Sequence, residues 1–319
     1  MANGSIFFGG SANQGLAHKV AAELGIPMGR SRVERFPDGE VSVQLEDSVR
    51  RKEVFVLQPT SPPVDQNLVE LLVFADAARR SAADRVTAVI PYFGYARSDR
   101  RHGRREPIAA RMVGDVLQAV GIRQIVTVDL HTDQVEGFFN VPVEHLSAVE
   151  VLTNEFRGRL PDNAVVVAPD EGRVPMATRY AESLGLPLVA LQKRRESGSK
   201  ARITGIAGEV SGRSCLLVDD MVSTGGTLVA AMNALLAAGA RPDIRIAVTH
   251  GLLIGKAREL LDRQELVELA VTDTVAPGHT DWEKLRVRSV APVITAALKE
   301  LMVGAGLNPS IASLRHALR

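Results

Sequence analysis

The feature that most constrains the fold is a set of short β-branched runs that are apolar without interruption. They are "EVFVLQ" (53–58), "RVTAVIPY" (85–92), "QIVTVDLH" (124–131), "AVVVAPD" (164–170), "PLVALQK" (187–193), "SCLLVDD" (214–220) and "IRIAVTHG" (244–251). A strand with one face in water alternates apolar and polar residues. A strand without alternation has both faces covered, which is the condition of parallel strands lying under helices. Between the runs stand helical patterns at 67–82, 108–121, 174–185 and 227–240, with apolar residues three and four apart and several stops at glycine. Strand–helix alternation predicts parallel sheets with right-handed crossovers, hence a doubly wound α/β fold.

The pattern occurs twice, so two similar doubly wound domains are expected, 1–148 and 149–302. The break falls near 145–150, after "GFFNVPVEH". A last helix is read at 291–302. It is counted with the second domain by this boundary, although it and the tail to Arg319 (about 303–319) could fold back on the first. In such sheets ligands sit beyond the carboxyl ends of the strands, so the polar residues that end the runs are the candidates for chemistry.

Composition excludes several classes. With 45% hydrophobic and 24% charged residues and a net charge of +1, the chain has no field that would suit nucleic acid or a membrane surface. No apolar stretch approaches the roughly 20 residues of a membrane span, and the N-terminus lacks the pattern of a signal peptide. The one cysteine, Cys215, excludes an intrachain disulfide, reads as a small core residue and suits a reducing cytosol. A cytoplasmic protein without nucleic-acid or membrane partners is expected.

The segment "LLVDDMVSTGGTLVAA" (216–231) has the densest chemistry. A strand is read at 216–218, with Asp219 and Asp220 at its carboxyl end and a helix from Leu228. Ser223, Thr224, Gly225, Gly226 and Thr227 lie between. The glycines let successive N–H groups turn toward one anion, and the helix N-terminus and the hydroxyls add to the attraction. The two acids would repel a phosphate, so they are read as acceptors for sugar hydroxyls or for a cation. The plain alternative is a solvated acidic pair before a Thr-capped helix.

Four other segments carry candidates. "ERFPDGEVSVQL" (34–45) places Phe36 beside Asp38 and Glu40 in a turn, where a ring could stack on a base; taken alone, it reads as a hairpin. "PYFGYARSDRRHGRREP" (91–107) clusters Arg97, Arg100, Arg101, Arg104 and Arg105 just after a strand, which suits a polyphosphate. "VDLHTDQVEGFF" (128–139) puts His131 past a strand, where a lone His is more often structural but beside acids suits a Mg²⁺ or phosphate contact. "VAPDEGRVP" (167–175) supplies a carboxylate, Asp170, at another strand end; one His and one carboxylate would suffice for Mg²⁺. "LQKRRESGSKARITG" (191–205) carries Lys193, Arg194 and Arg195 into a polar stretch that reads as a mobile cationic flap.

Together, "IFFGGSANQGLA", "FPDGE", "DSVR", "VIPYFGYARSDRR", "VDLHTDQVEGFF", "KRR" and "VDDMVSTGGT" resemble the ribose-phosphate pyrophosphokinase family over nearly the whole chain. The last of these alone resembles the phosphoribosyl-binding signature of the type I phosphoribosyltransferases. The resemblance implies transfer of the β,γ-diphosphoryl group of Mg-ATP to O1 of ribose 5-phosphate. By it, Phe36, Asp38, Glu40, Arg97, Asp99 and Arg100 meet ATP, while His131 and Asp170 meet metal and polyphosphate. Lys193, Arg195 and His131 act in catalysis. Asp219, Asp220 and the residues from Ser223 through Thr227 hold ribose 5-phosphate. A homo-oligomer, usually a hexamer, is implied as well. Ser48, Arg50 and Ser310 resemble parts of a regulatory site at which inorganic phosphate activates and ADP inhibits. Departures such as Ser98 and Ser223 leave the catalytic set intact and the regulatory class open. The alternatives are a phosphoribosyltransferase, which leaves Phe36 and Lys193 unemployed, and a non-catalytic relative that keeps the fold.

Overall fold

The computed structural model describes residues 4–101, 103–195 and 201–304, with the backbone alone for 194, 195, 201, 202, 303 and 304. The chain divides into two compact units. One contains the residues up to Leu146 and those from Val290 onward; the other is Ser147–Ser289.

In the first unit β1 (Ser5–Gly9), β4 (Glu53–Leu57), β5 (Arg85–Ile90), β6 (Gln124–Val128) and β7 (Val143–Leu146) form a parallel sheet in that order. Helices α1 (Gln14–Leu24), α2 (Val64–Arg80) and α3 (Ala109–Ala119) connect it. Ile6, Phe8, Val54, Val56, Ala88 and Ile90 pack with Leu71 and Phe74 of α2 and Leu117 of α3. The alternate residues Phe7, Phe55 and Val89 are also buried, so the strands need no polar face. Helix α1 was not expected. It starts where the Asn13 side chain accepts from the N–H of Leu16 (3.1 Å) and stops at Gly25, φ 66°. A separate antiparallel hairpin, β2 (Ser31–Arg35) and β3 (Val41–Leu45), packs on α2.

The last helix, α8 (Ala291–Gly304), corrects the expected division. It packs against α1 and β7 and so belongs to the first unit, not the second. Ala291, Ile294 and Leu298 make one apolar stripe that is fully buried there.

The second unit holds a seven-stranded sheet in the order β10-β9-β8-β11-β12-β13-β14. The strands are β8 (Val165–Ala168), β9 (Leu188–Arg195), β10 (Ala201–Ala207), β11 (Cys215–Val222), β12 (Ile244–Gly251), β13 (Leu266–Thr272) and β14 (Leu285–Arg288). The helices are α4 (Val149–Phe156), α5 (Val174–Leu184), α6 (Gly226–Ala237) and α7 (Ala257–Leu261). Val166, Ala168, Leu216, Val218 and Ala247 pack with α4 and α5. The residues between them, Val165, Val167, Cys215, Leu217 and Ile246, pack with α6 and α7. Helices on both faces are the cause of the unbroken apolar runs. From β8 the chain first builds outward through β9, then returns to add β11 on the other side. The strand order therefore reverses between β8 and β11, where open α/β sheets form a crevice.

The segment expected to be a mobile flap is in part regular. Strand β10 pairs antiparallel with β9, from Ala201 opposite Arg195 to Ala207 opposite Ala190, with a bulge between Ile203 and Gly205. Ile203 and Ile206, undervalued in the sequence, pack on the core and anchor the arm. Residues 196–200 lie outside the described residues.

One buried carboxylate ties the first unit's loops together. Glu70 of α2 has a fully buried side chain. It accepts from the N–H and the Oγ–H of Ser11 (both 2.6 Å) and from Arg35 Nη2 (2.9 Å). Glu70→Ala strips three donors of their acceptor and leaves a cation uncompensated. A loss of about 3 kcal/mol in unfolding free energy is expected, read by denaturant titration; a change below about 1 kcal/mol would refute the clamp.

Candidate functional site

The chemistry of the second unit collects at the reversal of strand order. The ladder between β11 and β8 ends at Leu217 opposite Val167, whereas that between β11 and β12 continues to Val222 opposite Gly251. Strand β11 thus outruns β8. Asp219 and Asp220 lie inside the strand, not at its end as expected, on the stretch that β8 leaves uncovered. Both are buried. Asp219 Oδ1 accepts from the N–H of Asp220 (2.8 Å).

Past the end of β8, the chain supplies Asp170 and a short turn, Glu171–Arg173, into α5. Asp170 Oδ2 lies 3.9 Å from Lys193 Nζ on β9, so these two predicted residues are brought together. Arg173, which sequence reasoning passed over, reaches across to β11. Its Nε is 3.4 Å from Asp219 Oδ1 and 3.6 Å from Asp220 Oδ1. Burial, then the adjacent Asp220 carboxylate, hold the Asp219 carboxyl well above the usual carboxylate range; Arg173 opposes both.

After Val222 the loop carries Ser223 and Thr224 into α6, which begins at Gly226. Gly225, φ 81°, is the residue before the helix and gives it no side-chain cap. That angle is one that side chains other than glycine's avoid. The loop is held from behind, the N–H groups of Leu252 and Leu253 bonding Val222 O and that of Ile254 bonding Ser223 O. The first N–H groups of α6 are left without a side-chain partner beside exposed Thr224 and Thr227, an arrangement suited to an anion. Cys215 plays no part; burial pushes its thiol up to about 11, leaving it inert.

In the first unit, Phe36, Asp38 and Glu40 form the turn of the β2/β3 hairpin. Phe36 N–H bonds Glu40 O (2.8 Å), Gly39 N–H bonds Phe36 O (2.9 Å) and Asp38 Oδ1 accepts from Glu40 N–H (3.1 Å). The hairpin reading holds, and the Phe36 ring is 49% exposed, open for stacking. The arginine loop follows β5. Its start is set by Gly94, whose N–H donates to Thr60 Oγ1 (2.6 Å) and where an added Cβ would lie 2.6 Å from Thr60 O. Arg97, Arg100, Arg101, Arg104 and Arg105 are all exposed, and none pairs with an acid among the described residues. Asp99 is turned to the neighbouring loop instead, accepting from Thr132 Oγ1 (2.8 Å) beside half-buried His131. The next residue back, Leu130, is fixed by His145 Nε2 on its N–H (2.9 Å).

Of the remaining candidates, His131 and Asp170 belong to different units. The side chain of Arg195 and all of Ser310 lie outside what the structure describes, while Ser48 and Arg50 are exposed on the segment between β3 and β4.

A model of the N-terminal domain of ribose phosphate pyrophosphokinase matches residues 5–121, and a phosphoribosyl transferase domain matches residues 147–276. A ribose-phosphate pyrophosphokinase of Caldanaerobacter subterraneus is 44% identical over 299 residues, 93% of this chain and 94% of the relative. The chain belongs to the ribose-phosphate pyrophosphokinase family. A Campylobacter jejuni member is 41% identical over 94% of this chain and 97% of its own. The crystal structure of a phosphoribosylpyrophosphate synthetase from Mycobacterium smegmatis superposes with a TM-score of 0.88 at 39% identity, covering 94% of this chain and 99% of that one. Membership makes this protein an enzyme, a pyrophosphoryl transferase of nucleotide biosynthesis acting on small molecules. No helix among the described residues is long and apolar enough to cross a membrane.

The raised Asp219 carboxyl has a consequence for stability. The folded protein holds this proton more tightly than the unfolded chain does. The stabilisation is complete at low pH and is lost as pH rises from about 4, the unfolded value, toward the higher folded one. Asp219→Asn removes that loss. The ligand-free variant is expected to melt above the parent at pH 8, with the gap closing as pH falls. A variant that melts lower than the parent at pH 8 would contradict the direction.

Proposed function

We propose that this chain transfers the β,γ-diphosphoryl group of Mg-ATP to O1 of ribose 5-phosphate, giving 5-phosphoribosyl 1-diphosphate and AMP. The observation that carries this reading is the gathering of Asp170, Lys193, Asp219 and Asp220 at the reversal between β8 and β11, ahead of an uncapped helix N-terminus. Membership of the family supports it.

The 5-phosphate goes to the 223–227 loop, where N–H groups and hydroxyls compensate its charge. Asp219 and Asp220 accept from the sugar's cis hydroxyls and so orient the anomeric O1. The adenine stacks on Phe36 with Asp38 and Glu40 on its polar edge, Arg97 and Arg100 hold the polyphosphate, and Asp99, held by Thr132, lines the same ATP site. O1 attacks the β-phosphorus and loses its proton to water; the bond from that phosphorus to the AMP oxygen breaks. Lys193 and Arg195 neutralise the charge that builds on the diphosphoryl oxygens, which with positioning is most of what phosphoryl transfer requires.

The donors present fit magnesium. Asp170 offers a partly exposed carboxylate in the second unit and His131 a half-buried imidazole in the first. Each is a hard or borderline donor of the kind that suits an ion which arrives with the nucleotide and keeps water and phosphate oxygens. When bound, magnesium supplies charge neutralisation to the polyphosphate; His131 and Asp170 would hold it.

We further propose a cytoplasmic homo-oligomer, with a hexamer the form the resemblance implies. Exposed Met112 and Val116, one turn apart on α3, are an apolar pair that self-association could cover. For Ser48, Arg50 and Ser310 we propose phosphate activation and ADP inhibition. ADP titrated at saturating ATP, with and without phosphate, should inhibit non-competitively; purely competitive inhibition would refute this.

The test of function is AMP formation from ATP with ribose 5-phosphate present and absent. Dependence on the sugar phosphate is expected, whereas diphosphate release that needs a nucleobase would mark a phosphoribosyltransferase. Lys193→Ala should lower kcat by about 10²–10³-fold with an unchanged circular dichroism spectrum, and near-normal turnover would remove its role.

A further inference from the structure

Arg173 is placed by two anchors. Its N–H donates to Asp170 O (3.1 Å), closing the short turn after β8, and its side chain, 12% exposed, ends against both acids of β11. The distances, 3.4 Å to Asp219 Oδ1 and 3.6 Å to Asp220 Oδ1, put one nitrogen between two carboxylates. Only the sheet's reversal makes this bridge available, because it sets the turn after β8 beside the part of β11 that β8 leaves open.

Two neighbouring carboxylates withdrawn from water repel each other, and each is costly unless compensated. A flexible pair would also be a poor receiver for a diol, since two hydroxyls of fixed spacing need two acceptors of fixed spacing. A guanidinium resolves both problems. It is planar, always charged and weakly hydrated, and it occupies only part of the lone pairs that two carboxylates offer.

We propose that Arg173 is a positioning residue for the sugar: bridging Asp219 and Asp220, it fixes both carboxylates in the orientation that accepts the cis hydroxyls at C2 and C3 of ribose 5-phosphate. The inference rests on the placement of the sugar at this acid pair argued above. In this role Arg173 acts through the two carboxylates and not on the transferred group or O1. Burial and then Asp220 raise the Asp219 carboxyl, and Arg173 acts in the opposite direction, as a cation seated between the two acids must. The same arrangement implies selectivity for a sugar with both hydroxyls, since 2-deoxyribose 5-phosphate would leave one fixed, buried acceptor without a donor.

The experiment compares the wild type with Arg173→Gln and Arg173→Lys in the full chain, varying ribose 5-phosphate at saturating ATP and then the reverse. Arg173→Gln should raise KM for ribose 5-phosphate about tenfold, the worth of one charge-assisted contact. The KM for ATP should stay within about twofold and kcat within about threefold. Arg173→Lys keeps the charge but not the fork, and should recover most of the loss, remaining about threefold above wild type. Arg173→Gln should also narrow the preference for ribose 5-phosphate over its 2-deoxy analogue. An unmoved KM for ribose 5-phosphate in Arg173→Gln would overturn the proposal, as would an equal rise in both KM values, the signature of a merely structural role. Should Arg173→Gln fail to fold, Arg173→Lys decides by the same selective rise or its absence. If wild-type AMP formation did not depend on ribose 5-phosphate, the assignment of function would fall. Dependence in the wild type with an unmoved variant KM removes the role of Arg173 alone.

Discussion

Two carboxylates side by side and out of water are the costliest feature of the second unit, and its site is organised around making them tolerable. Asp219 and Asp220 are carried on a strand whose two ladders have different lengths, so the pair is supported by β12 on one side and open on the other. A solvated pair at a loop tip would cost nothing and orient nothing. Burial fixes the two acids in one place and raises the cost of their charge, and Arg173, seated between them, opposes that rise without cancelling it. The reversal of strand order is thus the condition for the chemistry and more than a topological label.

The first unit arranges its charges by the opposite means. A polyphosphate needs cations that are not already paired, yet a loop of unpaired arginines has little to hold its shape. Here the shape comes from contacts that use none of the guanidiniums. Gly94 closes on Thr60, Tyr95 Oη–H bonds Asp65, and Asp99 is held by Thr132. The one acid in the middle of the cluster is thereby turned toward a neighbouring loop, and the arginines are left exposed for an anion. Glu70 does the equivalent for the hairpin that presents Phe36, through Arg35 at the end of β2.

What the sequence could reveal follows from this physics. Most central strands were legible because both of their faces are buried, as Val165 and Val167 on one side and Val166 and Ala168 on the other demonstrate; β13 was missed although it is central, because Glu268 interrupts its apolar run. Edge strands were not legible. "VEHL" of β7 and "LRVR" of β14 are partly exposed, and their polar residues hide any pattern. Residues at the ends of parallel strands were legible as candidates because topology pools those ends whatever the loops do. Arg173 was invisible for the converse reason. Its role depends on β11 outrunning β8, a matter of register between segments some fifty residues apart that no local spacing records. The same holds for α8, whose apolar stripe announces a helix but not which of two cores receives it.

Charge separates the arginine loop from the acid pair. The net charge of +1 hides a strong local segregation: a run of arginines after β5 and a pair of acids on β11. If the acids that orient a sugar stood among the cations that bind a polyphosphate, each group would neutralise the other, and neither ligand would be drawn in. Within the second unit the same conflict arises on a smaller scale, because an acid pair and a loop suited to an anion lie a few residues apart. There it is resolved along the chain: the acids stay on the strand, the N–H groups begin only after Val222, and the glycine at 225 turns the backbone between them. The length of β11 therefore sets the distance between the acid pair and the N–H groups of the loop that follows it. A substitution that moved Gly225 out of its positive φ would shift the anion end of that ruler without touching an acid.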